Sequence, residues 1–526
     1  MNDTQKPKIE LYEHQKDAIN RLIKNKGSLV IAHPVGSGKT LTAIAGMEKL
    51  REKGMGDKAL VITPASLRDN FANNIDKISD VPYAILGNKQ EVASGDRSGL
   101  EDLKGDEKYH IISYDMFKKD PEKYLKATGA DTIIADELHR AKDDSTQVFD
   151  ALKNTRDKYK NFIGLTGSVI SNRPSEVLPL VDIVSNGQHS LGKNVEEFDR
   201  KFLVRGRSQY GKGPVIGIRN RKLLERELGK YVDYMHIDDL HDTSIPDKLV
   251  QDVPVEMSPE QTKLYKKAVA EIPLQLRKKM DRGEQLTENE LKKFYNTAIV
   301  ARQISNGVHI GTPGMTLAQS AEATPKIKRM LDDIEDHLSE TPDGQVLVTT
   351  NLIHGGADVL ETGLQARGIK YGAFLGKGNK GITEASRQKD VEDYNNGKLR
   401  VMLISGAGSE GLSLNNTTMI ASADGHYNPE RINQMEARGI RSGGLAQRAP
   451  EDRKVMVRRY ESVLPRPRLL GIKLPIKPKS SIDQDIYNIA KKKALTNQLV
   501  LNVMRDSREK AAALITEVMR VLEKYS

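Results

Sequence analysis

Cysteine and tryptophan are both absent from this 526-residue chain. Without cysteine, disulfide bonds and thiolate metal sites are excluded outright, which suits an intracellular protein. Without tryptophan, and with only 5% aromatic residues, there is no indole platform on which unpaired bases could stack, and no aromatic wedge stands out. No apolar run approaches the roughly 18 residues of a membrane helix. The polar start, Met1 to Glu10, lacks the apolar core of a signal peptide. Internal repeats and long low-complexity tracts are also missing.

What is present fits a globular chain long enough for several cores: 29% charged and 37% hydrophobic residues. The formal net charge of +10 points to a polyanionic partner. The most informative segment is Ala32-His33-Pro34-Val35-Gly36-Ser37-Gly38-Lys39-Thr40. It follows the apolar run Ser28 to Ile31 and precedes a helix-like run, Leu41 to Leu50, the order a phosphate-binding loop needs. Val35, Gly36, Ser37 and Gly38 form the turn, and the glycines let backbone N–H groups converge on phosphate oxygens. Lys39 can reach the β- and γ-phosphates, and the Thr40 hydroxyl can ligate Mg²⁺. His33 stands where the general pattern has its first glycine.

A second segment, Asp131-Thr132-Ile133-Ile134-Ala135-Asp136-Glu137-Leu138-His139, reads as a buried strand ending in adjacent carboxylates. At the C-terminal end of a parallel strand, Asp136 can hold Mg²⁺ and Glu137 can polarise the attacking water. Strand candidates Leu29–Ala32, Ala59–Thr63, His110–Tyr114, Thr132–Asp136 and Phe162–Thr166 alternate with helix-like stretches, which predicts a parallel sheet covered by helices. Residues from about 186 to 325 read as mostly helical and short of buried strands. Alternation resumes at Val346–Thr349, Tyr371–Leu375, Val401–Ser405 and Met419–Ser422. From about Ser480, Ile482, Ile486, Ile489 and Ala490 fall at helical spacing. The expected fold is α/β: two RecA-like parallel-sheet lobes, a helical insert between them and a C-terminal helical segment. The expected domains are 1–185 (ATP-binding lobe one), 186–325 (insert and link), 326–462 (lobe two) and 463–526 (basic loop and helices). Two basic segments, Arg205–Gly213 and Pro465–Lys479, are either solvated loops or contacts to nucleic-acid phosphates.

Further strings, in order from about Leu11 to Val500, resemble the Swi/Snf-like branch of the superfamily-two helicase-related ATPases. Leu11-Tyr12-Glu13-His14-Gln15 is similar to the glutamine motif, which implies that Gln15 reads adenine. Thr63-Pro64-Ala65-Ser66-Leu67 resembles a nucleic-acid-contacting loop. Asp136-Glu137-Leu138-His139 matches the acidic box with Leu138 for alanine. Leu165-Thr166-Gly167-Ser168, followed by Asn172, resembles the coupling motif with Ser168 for threonine. Ile245-Pro246-Asp247-Lys248, Met257-Ser258-Pro259-Glu260-Gln261 with Tyr265, and Ala301-Arg302-Gln303-Ile304-Ser305-Asn306 resemble the link between lobes, although His236-Ile237 replaces an arginine pair. Gly408-Ser409-Glu410-Gly411-Leu412-Ser413-Leu414 resembles the lobe-two motif that touches nucleic acid. Gln434-Met435-Glu436-Ala437-Arg438-Gly439-Ile440-Arg441 resembles the arginine motif, with Ala437 for glycine and Ile440 for histidine. Arg438 and Arg441, three apart on an expected helix, would share a face.

The resemblance implies an ATP- and Mg²⁺-dependent translocase on double-stranded DNA. Its catalytic set would be Lys39, Asp136, Glu137, Gln434, Arg438 and Arg441, with nucleic-acid contacts near Thr63, Ser66, Thr166, Ser168, Ser409 and Gly411. A strand-separating DNA or RNA helicase, and an ATP-gated factor acting on a protein partner such as a polymerase, stay open as alternatives. No appended reader, zinc or nuclease module is recognisable, which suggests a microbial or viral source.

Overall fold

The computed structural model describes residues 9–87, 99–101, 103–207, 213–240, 245–281, 286–376, 384–406, 412–466, 468–469, 472–473 and 478–525. Ser409, Gly411, residues 208–212 of the Arg205–Gly213 segment and seven of the fifteen residues of the Pro465–Lys479 segment lie outside them. The chain divides into two compact units. The first comprises Met1–Arg205, Val215–His241 and Leu495–Ser526; the second comprises Gly206–Pro214 and Asp242–Ala494.

In the first unit, strands Ser28–Ala32 (β1), Ala59–Thr63 (β2), Tyr83–Ile85 (β3), Tyr109–Ser113 (β4), Thr132–Ala135 (β5) and Asn161–Leu165 (β6) precede a hairpin, Leu203–Arg205 (β7) with Val215–Ile218 (β8), and then Val232–Tyr234 (β9). The seven-stranded sheet runs β3-β4-β2-β5-β6-β1-β9, and every pairing in it is parallel. All residues of β2, β4, β5 and β6 are buried, as helices on both faces of a parallel sheet require. Two separate apolar clusters, one built on Val30, Leu60 and Ile133 and one on Leu29, Val61 and Ile134, mark the two faces. The alternation of side chains along each strand produces this division.

In the second unit, Asp247–Glu256 (β10), Gln345–Thr350 (β11), Tyr371–Phe374 (β12), Val401–Ser405 (β13), Thr417–Ser422 (β14) and Lys454–Val463 (β15) form a parallel sheet ordered β10-β15-β14-β11-β13-β12. The helix Pro325–Glu340 packs Ile327, Met330, Leu331 and Ile334 against it. Its proline at the first turn costs nothing, because that N–H has no partner within a helix anyway. The linker strings fold locally as their residue types dictate. Ser258 caps the helix Pro259–Ala270 through Gln261 N, and the buried Gln261 amide donates to Ile304 O at 2.9 Å.

One expectation is refined. The stretch expected to be mostly helical also contains strands β7 to β10. β9 joins the first sheet, and β10, ten residues long, forms the edge of the second. As an edge strand β10 is exposed except near Val253, so it carries no buried apolar run to betray it. The C-terminal helix, Ile482–Tyr525, follows the predicted spacing: Ile482, Ile486 and Ala490 are buried. Val500, Val503 and Met504 further along it belong to the core of the first unit. Among the described residues, no helix is long and apolar enough to cross a membrane.

Candidate nucleotide site

The phosphate loop leaves the C-terminal end of β1 and enters the helix Lys39–Glu52. Gly36 and Gly38 adopt φ of 88° and 76°, in the left-handed region that favours glycine. At Gly38 a Cβ would also meet Gln15 Nε2 at 2.4 Å, so a side chain there would displace the Gln15 amide from the loop. Gln15 is buried, and its amide reaches Ser37 O at 3.4 Å and Gly38 O at 3.3 Å, while its Oε1 accepts from Tyr12 N at 2.9 Å. Its polar atoms therefore brace the loop backbone. His14 Nε2 adds a bond to Ser37 O at 3.0 Å, and the exposed Tyr12 ring stacks on His14 at 5.8 Å. Lys39 donates to Pro34 O at 2.8 Å. Val35, Lys39 and Thr40 are half-buried, Gly36 is exposed, and Ser37 is buried.

Asp136 lies just past β5. Its Oδ2 accepts from Thr63 Oγ1 at 3.0 Å and its Oδ1 from Glu137 N at 3.1 Å. Burial, then the neighbouring Glu137 charge, pushes its carboxyl up to about 6, with Thr63 and Lys39 opposing. Glu137 sits at φ 53°, an uncommon conformation for a residue with a side chain and one that clusters at functional sites. Its Oε2 is 3.1 Å from His139 Nδ1. The carboxyl of Asp136 binds its proton more tightly in the folded chain than in the unfolded one. The ionised form therefore weakens the fold, and the penalty grows as pH rises from about 4 through about 6. Asp136→Asn is expected to raise the thermal midpoint of the nucleotide-free protein at pH 7.5, by about 1–3 kcal/mol of stability, and to have little effect at pH 4. Melting curves at the two pH values check this.

Of the four lobe-one residues expected to touch nucleic acid, only Ser66 is exposed. Thr63, Thr166 and Ser168 are buried, and their hydroxyls serve the interior. Thr63 holds Asp136, Thr166 Oγ1 accepts from Ser168 N at 3.0 Å, and Ser168 Oγ pairs with Ser171 Oγ at 2.9 Å. Lys142 reaches the same Ser171 hydroxyl, and Glu176 accepts from Ser171 N at 2.6 Å. This network abuts the phosphate loop: a Cβ on Gly167 would lie 3.3 Å from Val35 and 3.8 Å from Lys39 Nζ.

In the second unit, Gln434 lies half-buried on the helix Pro429–Glu436. Arg438 and Arg441 fall in the turns after that helix, so they do not share a helical face as expected. In this turn Gly439 packs closely on β14, where a Cβ would lie 2.8 Å from Thr417. Arg438 N bonds Met435 O at 3.2 Å, and Arg438 O accepts from Leu414 N at 3.1 Å. Arg441 turns back to Leu412 O at 2.7 Å and to Ser413 Oγ; burial lowers its pKa. Glu436 is clamped by Arg459 and by Lys248 at 2.5 Å. At the C-terminal ends of β11 and β14, Asp424 accepts from Thr350 Oγ1 at 2.5 Å, Asn351 N at 2.9 Å and Asn306 at 3.3 Å. Arg302 donates to Gly425 O at 3.0 Å. The string around Ala301–Asn306 thus pins the strand ends of this lobe.

Tyr12, His14 and Asp233 were missed as site residues. Tyr12 and His14 flank Gln15 in sequence and could have been found there. Asp233, described below, offers no local signal.

The chain's residues 14–310 match the SNF2-related domain, and residues 327–443 match the helicase conserved C-terminal domain. It is 25% identical to a putative ATP-dependent RNA helicase of Acanthamoeba polyphaga mimivirus, over 87% of this chain and 90% of that protein. It is 26% identical to the DNA repair and recombination protein RAD54-like of Gallus gallus, over 82% of this chain and 63% of that protein. A solved Sulfolobus solfataricus SWI2/SNF2 ATPase core in complex with dsDNA aligns over 87% of this chain and 89% of its own, at 20% identity and a TM-score of 0.39. With the SNF2-related match spanning more than half of its residues, the chain belongs to the SNF2-related family of helicase-related ATPases.

Proposed function

We propose that this protein hydrolyses ATP to translocate along double-stranded DNA. The observation that carries the hydrolytic part is the Asp136–Glu137 pair: a buried carboxylate with its pKa raised to about 6, followed by a strained carboxylate, on the lobe that holds the Lys39 loop. Gly36, Gly38 and the first turn of the helix Lys39–Glu52 offer backbone N–H groups to phosphate oxygens. Lys39 supplies a positive charge, and Glu137 orients water.

Thr40 and Asp136 would hold Mg²⁺. The ion takes one or two carboxylates together with phosphate oxygens and water, and Asp136 carries a negative charge that burial and Glu137 disfavour. When bound, Mg²⁺ would neutralise phosphate charge during transfer. In this reading Arg438 and Arg441, with Gln434 in the same motif, act on the nucleotide during hydrolysis. The nucleic-acid contacts of this reading lie near Ser66 and near Ser409 and Gly411. The latter two lie outside the described residues.

Glu137→Gln keeps the shape of the side chain and removes its charge. The variant is expected to bind ATP normally and turn it over about 10²–10⁴-fold more slowly, the range of a positioned base. Single-turnover hydrolysis beside nucleotide binding checks this.

The net charge of +10 supports a nucleic-acid partner, and the RAD54-like relative supports DNA. The mimivirus relative, named as an RNA helicase, favours the second reading, strand separation. Displacement of a triplex third strand, with no unwinding of forked DNA or RNA duplexes, is the result expected of a translocase. The converse result assigns the protein to strand separation.

A further inference from the structure

His33 begins the phosphate loop and is fully buried, as is Asp233 on β9. The two are 200 residues apart in sequence, yet His33 Nε2 lies 2.9 Å from Asp233 Oδ2. Burial lowers the pKa of His33, against the pull of the Asp233 carboxylate. Asp233 is held below the ordinary carboxylate range: burial opposes this, but His33, Arg21 and Arg508 outweigh it. An ionised Asp233 can only accept, so His33 Nε2 is the donor of this bond. The other carboxylate oxygen takes Arg21, from the helix that also carries Gln15, and Arg508 Nε at 3.2 Å, from the C-terminal helix. A carboxylate at this depth is tolerated only when it is paired and hydrogen-bonded, and here three side chains from three elements meet it.

The arrangement is well placed to govern the loop. Asp233 is in register with Ile31 on β1, and Met235 N bonds Ala32 O at 3.1 Å, so the carboxylate is fixed beside the strand that delivers His33. The next residue, Pro34, presents the carbonyl that accepts from Lys39 at 2.8 Å and from Ser37 N at 3.3 Å. Any movement of His33 therefore shifts the seat of the lysine. His14, whose ring meets that of His33 edge-on at 5.8 Å, closes the other side. The C-terminal helix is tied to the same unit elsewhere: Asn497 donates to Ser171 O at 2.9 Å, Ser507 to Glu225 O at 3.2 Å, and Lys510 to Glu225 at 2.5 Å.

We propose that Asp233 is a positioning residue of the nucleotide site, and that the relay Arg508–Asp233–His33 makes the C-terminal helix an integral part of that site by fixing the first turn of the phosphate loop. The inference rests on the nucleotide reading of the loop. It assigns His33 a task that a glycine at the same place could not perform: anchoring the loop from below through a side chain.

Three full-length variants test it. His33→Phe keeps the ring and the apolar contact and removes the donor. His33→Gln returns an N–H donor to the same place. Arg508→Met keeps the length of the side chain and removes the charge. Each is measured by equilibrium binding of ATP with Mg²⁺, by KM and kcat for hydrolysis, and by thermal midpoint. Misplacement by about 1 Å can cost about 10²-fold, so loss of the anchor with the loop still formed is expected to raise Kd and KM for ATP about tenfold in His33→Phe. Arg508→Met should raise them by a smaller factor, kcat at saturating ATP should change much less than KM, and His33→Gln should recover most of the lost affinity. Unchanged ATP affinity in His33→Phe, with wild type binding ATP, overturns the relay alone. So does an equal loss of affinity, kcat and thermal midpoint in the Phe and Gln variants. A wild-type protein that binds no ATP overturns the nucleotide reading and the relay with it.

Discussion

Lys39→Ala is expected to leave a folded protein that hydrolyses ATP at least about 10³-fold more slowly than wild type, the order of loss seen when one charge-stabilising donor is removed. The side chain is half-buried at the first position of its helix, and its ammonium contacts the loop carbonyl of Pro34 at 2.8 Å. It belongs to neither apolar cluster of its lobe. Alanine is the best helix former, so the helix Lys39–Glu52 survives and the thermal midpoint should hardly move. One change in the folded protein does follow. Lys39 is among the groups that hold the Asp136 carboxyl down, so the variant should carry Asp136 at a still higher pKa, and any residual activity should fall away on the acid side at a higher pH than in wild type. Steady-state hydrolysis across pH 5–8, beside circular dichroism, checks both statements. Normal turnover would remove the phosphate-loop assignment.

Arg438→Ala is expected to separate binding from turnover. Lobe one holds the nucleotide contacts proposed here, so ATP affinity should fall by less than about threefold, while turnover should fall by about 10³–10⁵, as for an arginine that completes a phosphoryl-transfer site. The backbone of Arg438 is pinned by Met435 and Leu414, so removing the side chain leaves the turn in place. Nucleic-acid affinity without nucleotide should be unchanged. ATP affinity, stimulated turnover and nucleotide-free nucleic-acid affinity, measured on one preparation, decide the matter. If all three fall together, Arg438 is structural.

The strands that were legible in sequence are those buried on both faces. β2 and β13 read as continuous apolar runs because parallel central strands have helices above and below. The glycine turn before the helix at Lys39 and the carboxylates at the end of β5 were legible because their signals are local. The strands that escaped notice lie at edges or carry charge. β15 holds Arg458, Arg459 and Glu461 within ten residues, and the arginines pair with Asp333 and Glu436, partners that only tertiary structure supplies. β9 is three residues long and centred on Asp233. After the helix that ends at Glu436, Gly439 packs closely on Thr417 of β14, and no pattern of period 3.6 records a contact between distant segments. His33 was visible as a departure from the glycine pattern, but its partner 200 residues away was not.

The central claim is that this chain is a nucleic-acid-driven ATPase preferring duplex DNA. The most direct test is ATP hydrolysis measured in parallel with no nucleic acid, single-stranded DNA, duplex DNA and duplex RNA, with Lys39→Ala as control. The account predicts low basal turnover, strong stimulation by duplex DNA, weaker stimulation by the other two, and none of these in the control. Turnover that ignores nucleic acid, or that responds only to RNA, would contradict it.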